Sequence, residues 1–375
     1  MIERVAFRVD ASVNIGIGHV MRCLTLADAL SLGTVESHFI CRGTPENLTR
    51  LIVDKGHRVH VLPTTTTAPM RQAASPKREE HGPQLAHCKW LGVSQQHDAS
   101  ESAAILQDLQ PDWLIVDHYA LDARWEQAVR PLCGKLMAID DLADRAHCCD
   151  LLLDQNLGRQ AADYGSWVLP HCEVLAGSKY ALLRPDFAQL RDYSIKRRTT
   201  PRLRQLLISM GGVDKDNVTG QVLDVLKNCA LPDDCRIWAV MGATAPWLES
   251  VREQCALMPV PTEVLVNISD MAQRMADSDL AIGAAGGTSW ERCCMGLPTL
   301  TVVIAENQWP GAHALANAGA GELLGTVEQI TDRLPAALAD LQQGSRLEQM
   351  IEAAIGVTDG CGTRYVVEKL EQLSK

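Results

Sequence analysis

Residues 4–22 read RVAFRVDASVNIGIGHVMR, and this stretch decides the class of fold. Apolar side chains alternate along its first six residues, as expected of a β-strand. Gly16 and Gly18 then permit a tight turn and a close approach of a ligand to the backbone. The helical pattern that follows offers free N–H groups and the positive end of a helix dipole, which attract anions. The stretch therefore predicts a strand, a glycine turn and a helix, with an anion site at the turn.

His19 stands at the start of this predicted helix, where a neutral imidazole can serve as a general base. In the alternative interpretation the glycines only shape a turn, and His19 is an ordinary residue of the first helical turn. The segment is an incomplete dinucleotide fingerprint, because Met21 stands where the third glycine belongs. No acidic ribose-binding residue follows at the usual distance, since Glu36 precedes the second strand. We therefore predict no NAD site and no other cofactor.

Short apolar runs alternate with helical patterns along the whole chain, in two successive series. Strands are predicted at residues 4–10, 37–41, 58–62, 113–117, 136–140, 151–154 and 173–176, and then at residues 205–210, 236–241, 263–266, 279–283 and 299–304. Such alternation is typical of parallel sheets with helices on both faces. The predicted fold class is α/β, with two Rossmann-like parallel-sheet domains.

We expect a first domain over residues 1–192, a second over residues 203–360, and a C-terminal helix at 361–375 that packs back across the domains. A basic, polar segment at residues 190–204 is the predicted linker. Residues 63–102 are rich in Thr, Pro, Ser and charge, which predicts a long surface loop. Its histidines are predicted to be exposed rather than metal ligands, and they are His81, His87 and His97.

Composition excludes several classes of protein. The 375 residues are 46% hydrophobic and 22% charged, with a net charge of −11, which argues against a disordered chain and a general nucleic-acid binder. No run of about 18 apolar residues occurs and no signal peptide is recognisable, so we predict no membrane span and a cytoplasmic location. Thirteen cysteines without metal-type spacing predict reduced, mostly buried thiols and no metal site. No obligate protein partner is predicted.

Two segments of the second series also follow strands with glycines. Gly211 and Gly212, in SMGGVDKDN, predict a phosphate cradle, with an ordinary strand–helix turn as the alternative. Glu291, in GAAGGTSWER, falls in the first turn of a predicted helix, where its carboxylate can accept both hydroxyls of a ribose. The alternative is a capping box in which Thr288 or Ser289 caps the helix.

Further polar groups follow other predicted strands. Asn307 and Gln308 come after the last of them, and their amides can bind a sugar or a phosphate. Asp117-His118-Tyr119 and Asp140-Asp141 each end a strand of the first series. We expect these residues to make polar contacts in a ligand cleft; a metal site is the alternative, although adjacent ligands point in different directions.

Together these motifs resemble the UDP-sugar hydrolase family of pseudaminic acid biosynthesis, over most of residues 4–325. The second half is also similar to the UDP-GlcNAc transferases of peptidoglycan synthesis, through Glu291 five residues before Gly296-Leu297-Pro298. The segments that carry the first resemblance are 7–12, 15–22, 117–119, 140–141, 149–152, 172–187, 210–214 and 307–308.

The resemblance implies a glycosyltransferase-B-like fold with a cleft between its two domains. It further implies inverting hydrolysis of UDP-2,4-diacetamido-2,4,6-trideoxy-β-L-altropyranose, with His19 as the proton acceptor, Asn307 on the substrate and Glu291 on the uridine ribose. The other residues expected to bind substrate are Gly18, Arg22, His118, Tyr119, Gly211, Gly212, Thr288, Ser289 and Gln308. A glycosyltransferase, a UDP-sugar 2-epimerase and a non-catalytic nucleotide-sugar-binding protein stay open as alternatives on the same scaffold.

Overall fold

The computed structural model describes residues 2–12, 15–64, 85–342 and 345–375. The chain divides into two compact units. The first comprises the residues up to 155 together with 159–176 and 364–375, and the second comprises residues 156–158 and 177–363.

The first unit is built on a parallel sheet of seven strands. These strands are β1 (Arg4–Val9), β2 (Glu36–Arg42), β3 (Arg58–Leu62), β4 (Trp113–Asp117), β5 (Lys135–Ile139), β6 (Leu151–Asp154) and β7 (Glu173–Ala176). Their order across the sheet is β3-β2-β1-β4-β5-β6-β7. The helices before residue 155 are α1 (Gly18–Ser31), α2 (Glu46–Asp54), α3 (Gln95–Leu109) and α4 (Ala123–Val129).

The register of β1 against β4 positions the first candidate site. Val9, the last residue of β1, pairs with Asp117, the last residue of β4. All five residues of β4 are buried, which agrees with a central strand covered on both faces. The glycine turn after β1 therefore begins level with the Asp117 side chain, at the carboxyl ends of two neighbouring strands.

The second unit has a parallel sheet of six strands. They are β8 (Gln205–Ser209), β9 (Arg236–Met241), β10 (Thr262–Val266), β11 (Leu280–Ala284), β12 (Thr299–Val303) and β13 (Gly321–Thr326). Their order is β10-β9-β8-β11-β12-β13. The helices are α5 (Pro185–Arg197), α6 (Val218–Leu226), α7 (Leu248–Ala256), α8 (Met271–Asp277), α9 (Thr288–Cys294), α10 (Trp309–Asn317), α11 (Ile330–Leu341) and α12 (Arg346–Ile355), and α13 (Gly362–Leu373) begins here.

The predicted fold class is confirmed, because both sheets are parallel and alternate with helices. Twelve of the strands lie where the apolar runs predicted them, within one residue at either end. The strand β13 (Gly321–Thr326) was not predicted, because its two glycines obscure the apolar pattern.

The linker predicted at residues 190–204 is wrong over its first half, which belongs to α5. Pro185 begins this helix and Asp186 lies in its first turn, both of which favour a helix start. Phe187 is fully buried, and the guanidinium of Arg198, just beyond the helix, donates to the carbonyls of Met275 and Ser278 (2.8 and 2.6 Å). Residues 177–192 accordingly belong to the second unit, whereas the prediction placed them in the first.

The predicted loop at residues 63–102 contains regular structure in its second half. A short 3₁₀ helix spans Cys88–Leu91, and α3 begins at Gln95 after Ser94, whose hydroxyl accepts the N–H of His97. Residues 65–84 lie outside the described residues. The polar composition hid α3 because only a few of its residues are buried, among them Asp98, which forms an ion pair with Arg8 (2.7 Å).

The predicted C-terminal helix is present as α13, and residues 364–375 form part of the first unit. Leu370 is fully buried, and the indole N–H of Trp113 donates to the hydroxyl of Ser374 (2.8 Å). The ammonium of Lys369 forms an ion pair with Glu173 (2.8 Å). These contacts attach the end of the chain to β4 and β7.

Candidate active site

The turn between β1 and α1 leaves the start of a long helix open. Gly16 has a φ of +79° and donates its N–H to the carbonyl of Ser12 (2.8 Å), and Ile15 donates to the Ser12 hydroxyl (3.1 Å). Residues 13–14 lie outside the described residues. Gly18 begins α1, and a Cβ at this position would meet no atom within 4 Å. Since no side chain of the described residues caps α1 and its first turn has no acidic residue, its N–H groups can bind an external anion.

His19 forms a dyad with Asp117. Nδ1 of the imidazole lies 2.6 Å from Oδ1 of Asp117, which is fully buried. A carboxylate only accepts hydrogen bonds, so Nδ1 carries the proton and the Nε2 of a neutral ring carries the lone pair. The His19 side chain keeps a tenth of its surface exposed. This arrangement orients an imidazole whose Nε2 can accept a proton.

Arg22 holds the same carboxylate from the next turn of α1. Its Nε and Nη2 donate to the two oxygens of Asp117 (2.6 and 2.7 Å), and its Nη1 reaches Asp141 (2.8 Å). The hydroxyl of Tyr119 also donates to Asp141 (2.6 Å). Burial alone would raise the pKa of Asp117. The charge of Arg22 and the hydrogen bonds from Arg22 and His19 have the larger effect and hold this pKa well below its ordinary value. Asp117 is therefore ionised at neutral pH.

His118 is not available to a substrate, contrary to the prediction. It is buried, its Nδ1 accepts the N–H of Ala120 (3.0 Å), and its Nε2 lies 3.3 Å from Asp10. Burial lowers the pKa of His118. Successive residues of a strand point to opposite faces, so His118 is directed away from its neighbour Asp117 and supports the buried pair of Arg8 and Asp10 (2.5 Å).

An aromatic cluster borders the dyad, and the sequence analysis missed two of its members. The ring of Tyr119 lies edge-on to His19, with centroids 4.7 Å apart. His87 and Trp90 pack on the same tyrosine, at centroid distances of 5.4 and 5.7 Å. The sequence feature that could have indicated this cluster is Trp90, a tryptophan within a polar segment. A large aromatic side chain seldom lies in a loop without a packing partner.

The other histidines of that segment have different surroundings. His97 is exposed, as predicted, and its Nε2 lies 3.2 Å from Glu101 on the same helix. His81 lies outside the described residues. The prediction of an exposed loop histidine is wrong for His87, which is half-buried.

In the second unit, a phosphate cradle was predicted at Gly211 and Gly212 because a free helix start was expected after these glycines. The structure contradicts this reason. Gly211 follows β8 with a φ of +93°, so the predicted glycine turn is present. However, the N–H groups of Val218 and Thr219 at the start of α6 donate to the carboxylate of Asp214 (2.8 and 2.9 Å). The start of α6 already holds an anionic side chain, and so it does not attract a phosphate.

Glu291 lies in the first turn of α9 and is half-buried. Burial raises its pKa to about 7, although Arg184 and Arg292 act in the opposite direction. The capping box considered as an alternative is absent, because Gly287 is the N-cap and no side chain caps the helix. Within the described residues the Glu291 carboxylate accepts no hydrogen bond, so it can accept donors from a ligand.

Arg292 is a buried cation directly beside this carboxylate. Its Nη2 donates to the carbonyl of Ala284 and the hydroxyl of Ser289 (2.8 and 3.0 Å), and its Nη1 donates to Thr288 (3.3 Å). Burial lowers the pKa of Arg292 to about 10, and no carboxylate in the described part of the chain forms an ion pair with it. A Cβ at Gly283 would lie 2.5 Å from Nη1, so only glycine leaves room for this guanidinium. The guanidinium thus contacts the last residue of β11 and the first two residues of α9, on either side of the glycine turn.

Asn307 and Gln308 follow β12 in a short 3₁₀ helix, Glu306–Gln308. The side-chain carbonyl of Gln308 accepts the N–H of Ile304 (3.1 Å) and closes this turn, whereas Asn307 is exposed. Because β8, β11 and β12 are adjacent and parallel, their carboxyl ends lie side by side. Each is followed by a predicted ligand-binding segment: Gly211-Gly212, residues 286–291, and Asn307-Gln308.

The carboxylates considered for a metal site are bound to arginines instead. Asp117 pairs with Arg22, and Asp140 pairs with Arg145 (2.6 Å). In the described ranges no group of three or more His, Cys, Asp or Glu could hold a metal ion.

No helix in the described ranges is long and apolar enough to cross a membrane.

The chain is similar in sequence to several known proteins. Residues 207–360 match the glycosyltransferase family 28 C-terminal domain. The chain is 24% identical over 317 residues to the UDP-2,4-diacetamido-2,4,6-trideoxy-beta-L-altropyranose hydrolase of Campylobacter jejuni, covering 84% of this chain and 97% of that protein. It is 30% identical over 167 residues to the spore coat polysaccharide biosynthesis protein SpsG of Bacillus subtilis, covering 44% and 48%. It is 23% identical over 309 residues to the uncharacterized protein MJ1062 of Methanocaldococcus jannaschii, covering 81% and 56%. The chain spans about half the length of the last two relatives.

Solved structures resemble the chain along nearly its whole length. MurG of Acinetobacter baumannii superposes with a TM-score of 0.68 at 17% identity, covering 99% of each chain. The UDP-GlcNAc 2-epimerase of Neisseria meningitidis, bound to UDP-GlcNAc, superposes with a TM-score of 0.58 at 12% identity, covering 98% of this chain and all of that one. With its two parallel sheets, the chain shares the glycosyltransferase-B-like fold of these structures, and residues 207–360 are similar to the glycosyltransferase family 28 C-terminal domain.

Proposed function

We propose that this chain is an enzyme acting on UDP-sugars, and that it hydrolyses UDP-2,4-diacetamido-2,4,6-trideoxy-β-L-altropyranose to the free sugar and UDP. The observation that carries the proposal is the His19–Asp117 dyad beside the uncapped start of α1. The Campylobacter jejuni hydrolase supports the choice of reaction, because the match covers 97% of its length. Binding of a nucleotide sugar is supported by the family 28 C-terminal domain and by the epimerase structure that holds UDP-GlcNAc.

In the proposed reaction the oxygen of a water molecule attacks the anomeric carbon, and the bond from that carbon to the UDP oxygen breaks with inversion. Nε2 of His19 accepts a proton from the water, while Asp117 holds Nδ1–H and stabilises the imidazolium that forms. Arg22 keeps Asp117 ionised and in position. Because UDP is a good leaving group, no protonated side chain is required to assist its departure, in contrast to ordinary glycoside hydrolysis.

The second unit would bind the nucleotide. Glu291 has a carboxylate with no hydrogen bond from the described residues, and it would accept the ribose hydroxyls. Arg292 supplies a buried positive charge beside the glycine turn at residues 286–287, where a diphosphate would be stabilised. Asn307 is exposed after the neighbouring strand and would bind the sugar.

A glycosyltransferase or a 2-epimerase is the second candidate, because structures of both kinds share the fold. The fold alone does not separate these reactions from hydrolysis. The reactions differ in two respects: a transferase requires an acceptor, and an epimerase inverts the configuration at C2 of the sugar. A non-catalytic binding protein would bind UDP-sugar without turnover.

The test is UDP release from the diacetamido UDP-sugar in the absence of an acceptor, for the native protein, His19→Ala and the control His97→Ala. His97 is an exposed histidine of the same unit with no contact to the dyad. We expect native and His97→Ala proteins to release UDP at the same rate, and His19→Ala to lose about 10²- to 10⁴-fold. Equal rates for all three proteins would refute the role of His19. Turnover only with an acceptor, or conversion of another UDP-sugar to its epimer, would replace hydrolysis by the second candidate.

A further inference from the structure

Two cysteines of the first unit lie in contact at the starts of neighbouring strands. The Sγ atoms of Cys149 and Cys172 are 3.5 Å apart, and both thiols are free. Cys149 lies two residues before β6 and Cys172 one residue before β7, and Leu151 pairs with Glu173 in the register of these strands. The N–H of Glu173 donates to the carbonyl of Asp150 (3.0 Å), which keeps the two strand starts side by side.

The two thiols have unequal surroundings. Cys149 is buried, whereas Cys172 is half-buried. The thiol of Cys172 can donate to the carbonyl of Glu173 (3.4 Å), which leaves its sulfur to accept the proton of Cys149. This hydrogen bond and burial raise the pKa of the Cys149 thiol well above its ordinary value. Cys172 is therefore the more accessible of the two sulfurs.

We propose that Cys149 and Cys172 are a redox-active pair that is oxidised to a disulfide by a low-molecular-weight disulfide of the glutathione type. The thiolate of Cys172 attacks one sulfur of the oxidant, forms a mixed disulfide and expels one thiolate. The thiolate of Cys149 then attacks Sγ of Cys172 and expels the second. The protein loses two protons and two electrons, and the oxidant is reduced to two thiols, so the exchange balances.

The fold allows a disulfide between Cys149 and Cys172 to form without moving the His19–Asp117 dyad. Neighbouring parallel strands lie about 4.8 Å apart, which is compatible with the Cα separation of a disulfide, and rotation of the two side chains can close the remaining gap between the sulfurs. Cys149 and Cys172 precede their strands, whereas Asp117 ends β4, and so the pair and the dyad lie at opposite ends of one parallel sheet. The disulfide would close a loop of 23 residues and constrain the unfolded chain. We therefore expect a rise in Tm without loss of UDP release.

The experiment treats the full-length protein with oxidised glutathione and maps its peptides by mass spectrometry, before and after reduction. Four proteins are compared: the native chain, Cys149→Ala, Cys172→Ala and the control Cys148→Ala. Cys148 is the immediate neighbour of Cys149 in sequence and is half-buried. This control shows whether the disulfide requires the contact between the sulfurs of Cys149 and Cys172, or whether any cysteine of this segment can form it. The native protein needs no substitution, so the result does not depend on whether a variant folds.

We expect the native and Cys148→Ala proteins to lose two hydrogens and to yield a linked peptide pair that a reductant separates, with Tm raised by a few degrees. Cys149→Ala should instead keep one glutathionyl group on Cys172, because no second thiol displaces it, and Cys172→Ala should form no link. The proposal is refuted if the native chain keeps both thiols free, if Cys148→Ala abolishes the link, or if glutathione stays on Cys172 in the native chain.

Discussion

Nδ1 of His19 lies 2.6 Å from Oδ1 of Asp117, and this contact decides which ring nitrogen can act as a base. The residues are 98 positions apart in sequence and meet because β1 and β4 are neighbours in register. Arg22 occupies both oxygens of the same carboxylate, so the dyad is anchored at one end and open at Nε2. The dyad and its anchor yield the first prediction.

Asp117→Asn should reduce UDP release by about 10²- to 10⁴-fold, because an amide can present an N–H to Nδ1 and reverse the tautomer of His19. The matched control is Asp141→Asn, which weakens contacts of Arg22 and Tyr119 but leaves the dyad intact. We expect the control to lose less than about 10-fold. Both are measured as kcat for UDP release, with Tm recorded for each variant; equal losses would show that the dyad has no special role.

Binding of uridine should depend on pH through Glu291. Burial raises the pKa of this carboxyl to about 7 in the free protein, and the ribose hydroxyls donate to its ionised form. Below this pH the acid must lose its proton to bind, so affinity should fall as pH decreases below about 7 and level off above it, by up to about 10-fold per pH unit. Uridine is the ligand because it has no phosphate that titrates in this range.

Calorimetry on both sides of this pH measures the effect, together with release of a proton on binding. Glu291→Gln is the control, and it should bind uridine more weakly with no change of affinity over the same interval. A native affinity that is flat with pH, or a glutamine variant with the native profile, would contradict the assignment of Glu291 to the ribose.

Arg292→Gln should weaken UDP more than uridine. The guanidinium is buried without an ion-pair partner among the described residues, so an anionic ligand would compensate its charge. We expect a Kd for UDP about 10-fold higher and a Kd for uridine changed less than about 2-fold, because a buried charge attracts an anion through the protein and has little effect on a neutral ligand. Arg274→Gln, which removes a half-buried cation of the same unit that forms an ion pair with Asp270, is the control and should change neither. A parallel loss for UDP and uridine would indicate that Arg292 only shapes the turn.

Gly283→Ala should destabilise the protein by about 1–3 kcal/mol, because the added Cβ would lie 2.5 Å from Nη1 of Arg292 and 3.1 Å from the carbonyl of Ser209. The control is Gly311→Ala in α10, where a Cβ meets no atom within 4 Å and alanine should stabilise the helix by up to about 1 kcal/mol. Urea unfolding gives both values. The cost at Gly283 should shrink in the double variant with Arg292→Gln, and strict additivity would contradict the steric explanation.

Some of the residues predicted for the site lie together in the structure and others do not, and the differences have identifiable causes. His19, Arg22 and Tyr119 come together as expected, since the ends of β1 and β4 converge. His118 does not join them, because alternation along the chain directs it to the buried Asp10. His87 and Trp90 were missed because no periodicity links their segment to the sheet.

The two parallel sheets and the positions of nearly all their strands could be predicted from the amino-acid sequence. Apolar runs of strand length between helical patterns admit few other solutions, because a strand buried on both faces must be apolar along its whole length. Glycines at the ends of β1, β8 and β11 also marked the turns where backbone can approach a ligand.

Only the tertiary structure shows which charged side chains lie at these turns. A helix start attracts anions only if no side chain occupies it: the start of α1 is open, whereas that of α6 holds Asp214. Likewise, only packing shows that Asp117 orients His19 and that Arg292 fills the space beside Gly283. Local pattern specifies the backbone, but the state of a titratable group depends on the burial and partners that distant segments provide.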